Sequence, residues 1–518
     1  MTVGAWWIFG YISNALFPPQ AAVTLAIEPA CEIATFAADS AVEISTASRR
    51  GKPAHHCRVR GTIDKEINFE LLLPTLWNGK FVMGGGGGFV GTVENIALRY
   101  GALQSGYATV GTDTGHSGNS LDARWALDNM VRIENFGHRA VHLTTVAAKG
   151  LIATYYGQAS RQNYFMGCSR GGGQALMEAQ RYPEDFDGIV AGAPAYNWSL
   201  GVAANATQIA RAMFPDPNRL ERAVIQPEDQ ALIAEAYLQQ CDSLDGLRDG
   251  ILNDPRDCPF TPEALRCRTP GAAECLSEEK ISALASIYGG PSNVRGQLWP
   301  GFPFGGELSE QGMTMWLTGG LAHLDLQPGA LDEYGFPYPL APNASYAFGN
   351  GIMKYMVFND PAWDYRHYNY DQVEKDTAPI AKLLDAADPN LDAFRRRGGK
   401  LLLYHGWSDM ALSAHGTIDY YDRVVERSAD AATDVKLYLL PGVDHCFGGV
   451  GPSLINYLTV IDQWVERKQE PAGLEAHWLN WMRIPWGSRL VCPYPQRPIF
   501  LGASDSSADS FRCEWLDL

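Results

Sequence analysis

Short runs of β-branched and aromatic residues alternate with helix-like stretches up to about Pro194. The pattern predicts, in chain order, strands at 69–73, 80–83 and 107–111, a helix at 139–156, a strand at 164–167, a helix at 171–181 and a strand at 188–192. Strands and helices that alternate in this rhythm are typical of a parallel sheet in an α/β fold.

The pattern changes after about Trp198. Helical stretches at 229–240 and 277–288 are followed by long loops rich in Gly, Pro and aromatic residues. A buried strand returns at 400–404, and a helix at 417–426 and a strand at 435–439 follow it. We therefore predict one α/β domain, residues 1–197 and 388–518, interrupted by a lid domain, residues 198–387. Inserts above the C-terminal ends of parallel strands usually form lids or binding walls.

The composition is that of a globular protein, with 46% apolar and 19% charged residues among 518. The net charge is −17, from 41 basic and 58 acidic residues. A chain this acidic is a poor candidate for binding nucleic acid or an anionic membrane surface.

The N-terminal stretch carries no charge before Glu28. Its apolar part, Val3–Phe17, is shorter than the roughly 20 residues of a transmembrane helix, so we expect no stable membrane insertion. It fits the apolar region of a signal peptide. However, no Lys or Arg precedes it, and a partial or atypical leader is an equally good interpretation.

The chain has ten cysteines. An even number with several close pairs favours disulfides and an oxidising compartment, so we expect a secreted or periplasmic protein. No Cys-x-x-Cys motif occurs, and the spacing of Cys and His matches no zinc finger.

The main candidate for chemistry is the pentapeptide Gly167–Gly171, which fits the Gly-x-Ser-x-Gly nucleophile elbow. It lies between a predicted strand and a predicted helix, as that motif requires. The helix after such a turn directs its amide dipoles at the reaction centre, where they favour an oxyanion. Ser169 is therefore the predicted nucleophile.

Asp409 and His445 are the predicted acid and base. Each follows a predicted strand, and the chain order Ser, Asp, His is that of α/β-hydrolases. Asp444 competes as the acid, although its place next to His445 in the chain makes it hard to aim at that ring. His116 and His405 compete as the base, and we rank both below His445.

Cys168 precedes the serine and Cys446 follows the histidine. A disulfide between them would tie together the two backbone segments that carry the nucleophile and the base. Its usual Cα separation of about 5–6 Å would hold the catalytic distance.

These residues resemble the tannase and feruloyl esterase family over roughly Cys31–Cys513. The resemblance rests on Cys168-Ser169, Asp409, His445-Cys446 and the stretch 187–195. The family includes feruloyl esterases, tannases and mono(2-hydroxyethyl) terephthalate hydrolases. It implies an α/β-hydrolase fold with a large inserted lid and a Ser169, Asp409, His445 triad.

The resemblance also implies an oxyanion hole. One donor is the main-chain N–H of Arg170, and the second comes from the glycine run 84–88. We take Gly86 as that second donor, with Gly85 and Gly87 as alternatives that the sequence does not separate.

A loop of the predicted lid carries carboxylates at Asp242, Asp245 and Asp249, with glycines for tight turns. Hard oxygen ligands on a short loop suit Ca²⁺, although a solvated acidic turn would have the same composition. The family resemblance implies a structural calcium ion here, bound by the three Asp side chains and by the carbonyls of Leu247 and Ile251. No organic cofactor is expected.

The resemblance implies five disulfides. They are Cys31–Cys57, Cys168–Cys446, Cys241–Cys258, Cys267–Cys275 and Cys492–Cys513. The sequence alone allows many other connectivities for ten cysteines.

We therefore predict a serine carboxylic-ester hydrolase whose partner is a small ester of an aromatic acid. Gallate, ferulate and terephthalate monoesters all remain possible. Leu412 is a candidate for lining the site, and aromatic residues of the lid at 299–304, 316, 346–348 and 355–358 are candidates for its walls. A terephthalate monoester would require a lid cation such as Arg295 or Lys354. The rival interpretations are a catalytically inactive, calcium-stabilised protein that binds phenolics or polysaccharide, and an acyltransferase. The oligomeric state is not predicted.

Overall fold

The structure is a computed structural model. It describes residues 25–26, 29–36, 42–93, 98, 101–269, 274–309, 311–320, 330–332, 335–479 and 484–515. The apolar stretch Val3–Phe17 lies outside these residues. Over the described ranges, every helix is too short or too polar to cross a membrane.

A nine-stranded mixed sheet forms the centre of the fold. Its strands are β1 (Val42–Arg50), β2 (His56–Ile63), β3 (Ile67–Pro74), β4 (Lys80–Gly84), β5 (Ala108–Thr112), β6 (Gln162–Cys168), β7 (Gly188–Gly192), β8 (Lys400–Gly406) and β9 (Val435–Leu440). Their spatial order is β9-β8-β7-β6-β4-β5-β3-β2-β1. The strand before the lid, β7, pairs directly with β8, the first sheet strand after it.

Strands β4 to β9 are parallel, as predicted. The first three strands are antiparallel, so the prediction of a parallel sheet is wrong for the strand at 69–73. The reason is the connection: Ile63 and Ile67 are paired across a tight turn, in which Asp64 and Lys65 have positive φ. Such a short turn joins only antiparallel strands.

Helices cover the sheet and build the segment between β7 and β8. Those of eight or more residues are α1 (Ala140–Tyr156), α2 (Arg170–Arg181), α3 (Asn205–Met213), α4 (Pro227–Cys241), α5 (Glu278–Tyr288), α6 (Ala344–Gly351), α7 (Val373–Leu384), α8 (Ala414–Arg427) and α9 (Tyr457–Arg467). Two shorter helices are Met130–Glu134 and Asp392–Arg396. A π-helical segment, Asn135–Arg139, leads into α1, and another, Trp198–Ala204, leads into α3.

Successive residues of the central strands supply two hydrophobic cores on opposite faces of the sheet. On β8, Leu401 and Leu403 join the core that includes α1, α2 and α8, whereas Leu402 joins the core that includes α9. Both faces of these strands are thus buried. This explains why their sequences are continuous apolar runs rather than alternating patterns.

The segment between β7 and β8 has a core of its own, formed by α3, α4 and α5 together with Phe302 and Trp316. Met410, from the loop after β8, packs into the same core. The lid therefore contacts the loop that carries Asp409. The predicted domain limits at residues 197 and 388 stay predictions.

Two antiparallel hairpins follow α9 in the chain. They are β10 (Leu474–Leu479) with β11 (Pro485–Val491), and β12 (Arg497–Phe500) with β13 (Phe511–Glu514). Arg489 of β11 is fully buried and reaches the acidic loop after α4.

Helix α2 lies very close to the sheet because its first turn is made of glycines. A Cβ at Gly172 would lie 2.2 Å from the carbonyl oxygen of Gly192, and a Cβ at Gly173 would lie 2.1 Å from that of Ala195. No side chain fits at these distances. The glycines thus set the position of the helix that begins at the predicted nucleophile.

We predict opposite effects for two glycine-to-alanine substitutions. Gly172→Ala should destabilise the fold by at least about 3 kcal/mol, because the new methyl group forces α2 away from β7. Gly150→Ala, on α1 with open space around its Cβ position, should stabilise by about 0.5–1 kcal/mol through helix propensity. Denaturant unfolding with the disulfides intact measures both. Wild-type stability in the Gly172→Ala variant would contradict the close approach of α2.

Candidate active site

Ser169 lies on the tight turn between β6 and α2, and its φ is +62°. A residue with a Cβ rarely adopts this left-handed conformation, which nevertheless occurs at nucleophile turns. Main-chain hydrogen bonds hold it: Ser169 N–H donates to Gly192 O at 3.0 Å, and Ser169 O accepts from Ala195 N at 2.9 Å. The turn fixes the serine at the N-terminus of α2, where the helix dipole favours negative charge.

His445 and Asp409 form a buried hydrogen-bonded pair. His445 lies on the loop after β9, and its Nδ1 is 2.7 Å from Oδ2 of Asp409, on the loop after β8. The Asp409 side chain is completely buried, and that of His445 is 7% exposed. With Nδ1 donating to the carboxylate, Nε2 of His445 is left to act as a base.

Asp409 is held by four groups. Its Oδ1 accepts from the main-chain N–H groups of Ala411 at 2.8 Å and Leu412 at 3.0 Å. Its Oδ2 lies 2.7 Å from His445 Nδ1 and 3.2 Å from His405 Nε2. Burial by itself would raise the pKa of Asp409, but the two imidazoles outweigh burial and hold it well below its usual range. The carboxylate is therefore ionised and rigidly oriented.

The competing candidates have other partners. His405 is completely buried, with Nδ1 2.8 Å from Thr417 Oγ1 and Nε2 3.0 Å from Leu412 O, so it supports the Asp409 loop. His116 lies with Nε2 2.9 Å from Phe89 O and its ring stacked on Trp125. Burial lowers the pKa of His116 to about 3. Neither of the two histidines lines the cavity beside Ser169.

Asp444 is also buried, and it faces the lid. Burial raises its pKa to about 7, and neither of its carboxylate oxygens has a hydrogen-bond partner. Asp409, rather than Asp444, is therefore the carboxylate bonded to the His445 ring.

A disulfide joins Cys168 to Cys446, with a Cα separation of 5.9 Å. It links the residue before Ser169 to the residue after His445, which are 278 positions apart in sequence. Cys446 itself has a φ of +67°, so both linked loops turn sharply at the site.

The structure requires a correction for Gly86. Its N–H donates to Oε1 of Gln174 on α2 at 3.0 Å, and the N–H of Gly85 donates to Met166 O at 2.9 Å. Both amides are used to anchor the glycine run on β6 and α2, so Gly86 is not placed as the second oxyanion donor. Gly88 is the member of the run that lines the cavity beside Ser169.

Arg170 directs its side chain away from the cavity. Its guanidinium donates to the carbonyls of Phe136 and Gly137, the latter at 2.9 Å, and lies over the rings of Phe136 and Trp198. Burial lowers its pKa to about 9. Only the backbone N–H of Arg170 therefore lies at the turn where an oxyanion would form.

The cavity beside Ser169 is mostly apolar, which suits an aromatic acid group. Leu412 lines it, as predicted, together with three of the aromatic candidates, Phe302, Trp316 and Phe348. The Trp316 ring meets His445 edge to face at 5.0 Å. The remaining aromatic candidates of the lid do not line it.

Charge is nearly absent from the cavity wall. Among its described lining residues, the ionisable side chains are those of Arg170, which points elsewhere, and His445. Of the lid cations considered from sequence, Arg295 pairs with Glu374 at the surface, and Lys354 is not a lining residue.

The acidic loop after α4 is held together by its own amides. Asp242, Asp245 and Asp249 each accept a hydrogen bond from a loop N–H, at 2.8–3.1 Å. Arg489 donates to Asp249 at 2.9 Å and lies 3.6 Å from Asp245. The guanidinium thus contacts two of the three carboxylates. This excess of hard oxygen donors fits a divalent cation. Within the described part of the chain, the three side chains do not bring one oxygen each to within 4.8 Å of the other two, so a bound ion would draw them inward.

All ten cysteines are paired. The pairs are those that the family resemblance implies: Cys31–Cys57, Cys168–Cys446, Cys241–Cys258, Cys267–Cys275 and Cys492–Cys513.

Sequence reasoning did not identify Gln174, Trp198 or the supporting role of His405. Gln174 anchors Gly86 from a position 88 residues away, and Trp198 lines the cavity from the first turn after β7. No local sequence pattern indicated either contact. The His405-x-x-x-Asp409 spacing was a visible signal for the third.

Comparison with known proteins gives the family. The family model described as tannase and feruloyl esterase matches residues 52–514. The chain is 31% identical to mono(2-hydroxyethyl) terephthalate hydrolase from Piscinibacter sakaiensis, over 90% of this chain and 86% of that protein. It is 29% identical to feruloyl esterase B from Aspergillus niger, over 86% and 83% respectively.

Solved structures agree with these matches. Feruloyl esterase B from Aspergillus oryzae superposes with a TM-score of 0.80 and 26% identity, over 93% of this chain and 99% of that one. Tannin acyl hydrolase from Aspergillus niger shares the fold, with a TM-score of 0.70, 20% identity and coverage of 98% and 95%. The chain therefore belongs to the tannase and feruloyl esterase family, and it is a carboxylic ester hydrolase with the α/β-hydrolase fold.

Proposed function

We propose that the protein hydrolyses esters of aromatic acids through a Ser169, His445, Asp409 triad and an acyl-enzyme. The acyl group would carry no carboxylate other than the one in the ester bond. The observation that carries this proposal is the buried 2.7 Å hydrogen bond between His445 and Asp409, with His445 and Ser169 lining one apolar cavity. The strained turn at Ser169 and the disulfide beside it support the same assignment.

Acylation begins when Nε2 of His445 takes the proton from Ser169 Oγ as the oxygen attacks the ester carbonyl. Asp409, which is ionised and fixed by four groups, stabilises the resulting imidazolium. The carbonyl oxygen becomes an oxyanion at the N-terminus of α2, where we assign the amide of Arg170 and one amide of Gly87–Gly88 as donors. His445 then protonates the leaving alcohol.

Deacylation repeats the cycle with water. His445 removes a proton from the water molecule that attacks the acyl-enzyme, and Ser169 regains its proton as the acid leaves. Trp316 packs edge to face against the His445 ring. This contact helps to keep the ring in the orientation set by its hydrogen bond to Asp409.

The apolar, nearly uncharged cavity supports an acyl group without a second carboxylate. Burying a carboxylate without a cation is strongly unfavourable. Ferulate- and gallate-type acyl groups carry only hydroxyl or ether substituents, whereas a terephthalate monoester carries a carboxylate. The relative at 31% identity is named for the terephthalate ester, so that substrate is the second candidate.

A substrate panel tests this function. We expect kcat/KM for methyl ferulate or methyl gallate to exceed that for mono(2-hydroxyethyl) terephthalate by at least about 100-fold, because the cavity offers no partner for the second carboxylate. Ser169→Ala should reduce every measurable rate by at least about 10⁴-fold. Initial rates followed by product chromatography provide both numbers.

The outcomes separate the alternatives. Preferred turnover of the terephthalate ester would overturn the uncharged-acyl assignment but leave the triad standing. No turnover above the Ser169→Ala blank on all three esters would favour an inactive binding protein. New esters formed when alcohol is added would favour an acyltransferase.

The Cys168–Cys446 bond should be required for catalysis. The double variant Cys168→Ala/Cys446→Ala should lose about 100-fold or more in kcat, because a shift of about 1 Å between serine and histidine has that effect. Removal of a bond that closes so long a loop should also lower the melting temperature. The double variant Cys267→Ala/Cys275→Ala, which opens an 8-residue separation in the lid, is the matched control. Equal kcat in both double variants, assayed well below their melting temperatures, would refute the positioning role.

We also propose a structural calcium ion in the loop after α4, bound by Asp242, Asp245 and Asp249 with the carbonyls of Leu247 and Ile251. Three carboxylates against the single guanidinium of Arg489 support it, because the remaining negative charge requires a cation. The ion would fix the lid loop against β11, and it takes no part in the chemical steps.

Chelation tests the calcium ion. EGTA should lower the melting temperature by several degrees, and added Ca²⁺ should restore it, because the ion binds only the folded loop. Asp245→Asn should remove this response. Glu235→Gln, at an exposed position of the adjacent α4, should keep it. An unchanged melting curve in EGTA, with no calcium found by elemental analysis, would exclude the ion.

We propose a secreted or periplasmic location. Five disulfides support it, because such bonds persist in oxidising compartments and are rare in the cytosol.

A further inference from the structure

A second cluster of chemically active side chains lies between α1, α2 and the loop before β7. It consists of His142 on α1, Glu178 on α2 and Asp185 on the loop. One ligand atom from each residue lies within 4.8 Å of the other two. Within the described residues, this is the group of three metal-capable side chains that meets that limit.

Glu178 is the unusual member of the cluster. It is 1% exposed, no hydrogen-bond donor reaches either carboxylate oxygen, and burial together with the neighbouring Asp185 raises its pKa well above the ordinary value. Its neighbour in the cluster, Asp185, is also an acid, and the Asp185 side chain is only 8% exposed. Two buried carboxylates in contact repel each other unless a proton or a cation lies between them.

The groups around Asp185 donate no hydrogen bond to Glu178. Lys149 donates to the main-chain oxygen of Asp185, and its Nζ lies 3.7 Å from Asp185 Oδ1. His142 Nδ1 lies 2.6 Å from the other oxygen, Oδ2. The His142 ring stacks on Tyr182, whose hydroxyl contacts His138. The lysine therefore neutralises one side of Asp185 and makes no contact with the Glu178 oxygens.

We propose that His142 Nδ1, one oxygen of Glu178 and Asp185 Oδ2 bind a divalent zinc ion. One imidazole and two carboxylates form a donor set that zinc prefers over calcium or magnesium, which favour oxygen ligands alone. The ion would replace the His142–Asp185 hydrogen bond. It would also give the Glu178 carboxylate a positively charged partner. The His142 side chain is 29% exposed, which provides an entry path and room for water as the fourth ligand.

The site is separate from the esterase centre. Glu178 is nine positions after Ser169 on the same helix, about 13 Å along its axis. Zinc here would link α1, α2 and the loop before β7. The link would lie near the C-terminus of α2, whereas Ser169 lies at its N-terminus. Its expected effect is on stability, with kcat unchanged.

Zinc titration of the full chain tests the proposal. Protein freed of zinc with a chelator selective for zinc over calcium, and kept in calcium-containing buffer, is titrated calorimetrically with ZnCl₂. One ion per chain should bind, and saturation should raise the melting temperature by about 3 °C. Glu178→Gln and His142→Gln should each weaken binding at least about tenfold. His367→Gln, a substitution of an exposed histidine, should bind as the wild type does.

Cobalt provides an independent measurement. Co²⁺ bound at one nitrogen and two oxygens should give visible absorption that the Glu178→Gln variant lacks. The proposal fails if zinc does not bind in saturable 1:1 stoichiometry, or if Glu178→Gln and His142→Gln bind it like the wild type. It also fails if His367→Gln weakens zinc binding while Glu178→Gln and His142→Gln do not. None of these outcomes depends on ester hydrolysis, so the proposed function is tested separately.

Discussion

The site depends first on the close contact between helix α2 and the sheet. Gly172 and Gly173 let the helix backbone approach Gly192 and Ala195 at distances that exclude any Cβ. This contact is what allows Ser169 to keep a positive φ, because the main-chain bonds from β7 and the next loop hold both sides of the turn. A strained nucleophile persists only where its surroundings determine it so completely.

Asp409 and His445, the other members of the proposed triad, are tied to that turn through other loops. Asp409 and His445 follow the neighbouring strands β8 and β9, so the sheet brings them together, and the disulfide at Cys168 fixes the histidine loop to the nucleophile strand. Trp316 of the segment between β7 and β8 packs against His445. Met410, from the loop after β8, packs into the core of that segment. The segment between β7 and β8 therefore contacts both the histidine ring and the loop that carries Asp409.

Sequence reasoning succeeded where one local pattern determines the result. The parallel strands are continuous apolar runs because both of their faces are buried, and Ser169, Asp409 and His445 each follow such a run. It failed where partners are distant in sequence. The side chain of Gln174 takes the amide of Gly86, and Arg489 reaches Asp249 across 240 positions. Strands β1 and β2 were missed because they include exposed charged residues such as Arg50 and Arg60, which make them resemble surface loops.

Buried charge is treated in three different ways in this molecule. Asp409 receives two main-chain amides and two imidazoles, a full set of partners for an anion that must stay ionised. Arg170 receives two carbonyls and two aromatic faces, which suit a cation that only fills space behind the cavity. Glu178 receives none. What sets Glu178 apart is that His142 and Asp185 each bring a ligand atom within 4.8 Å of its own. The imidazole of His142 favours a metal ion that accepts nitrogen.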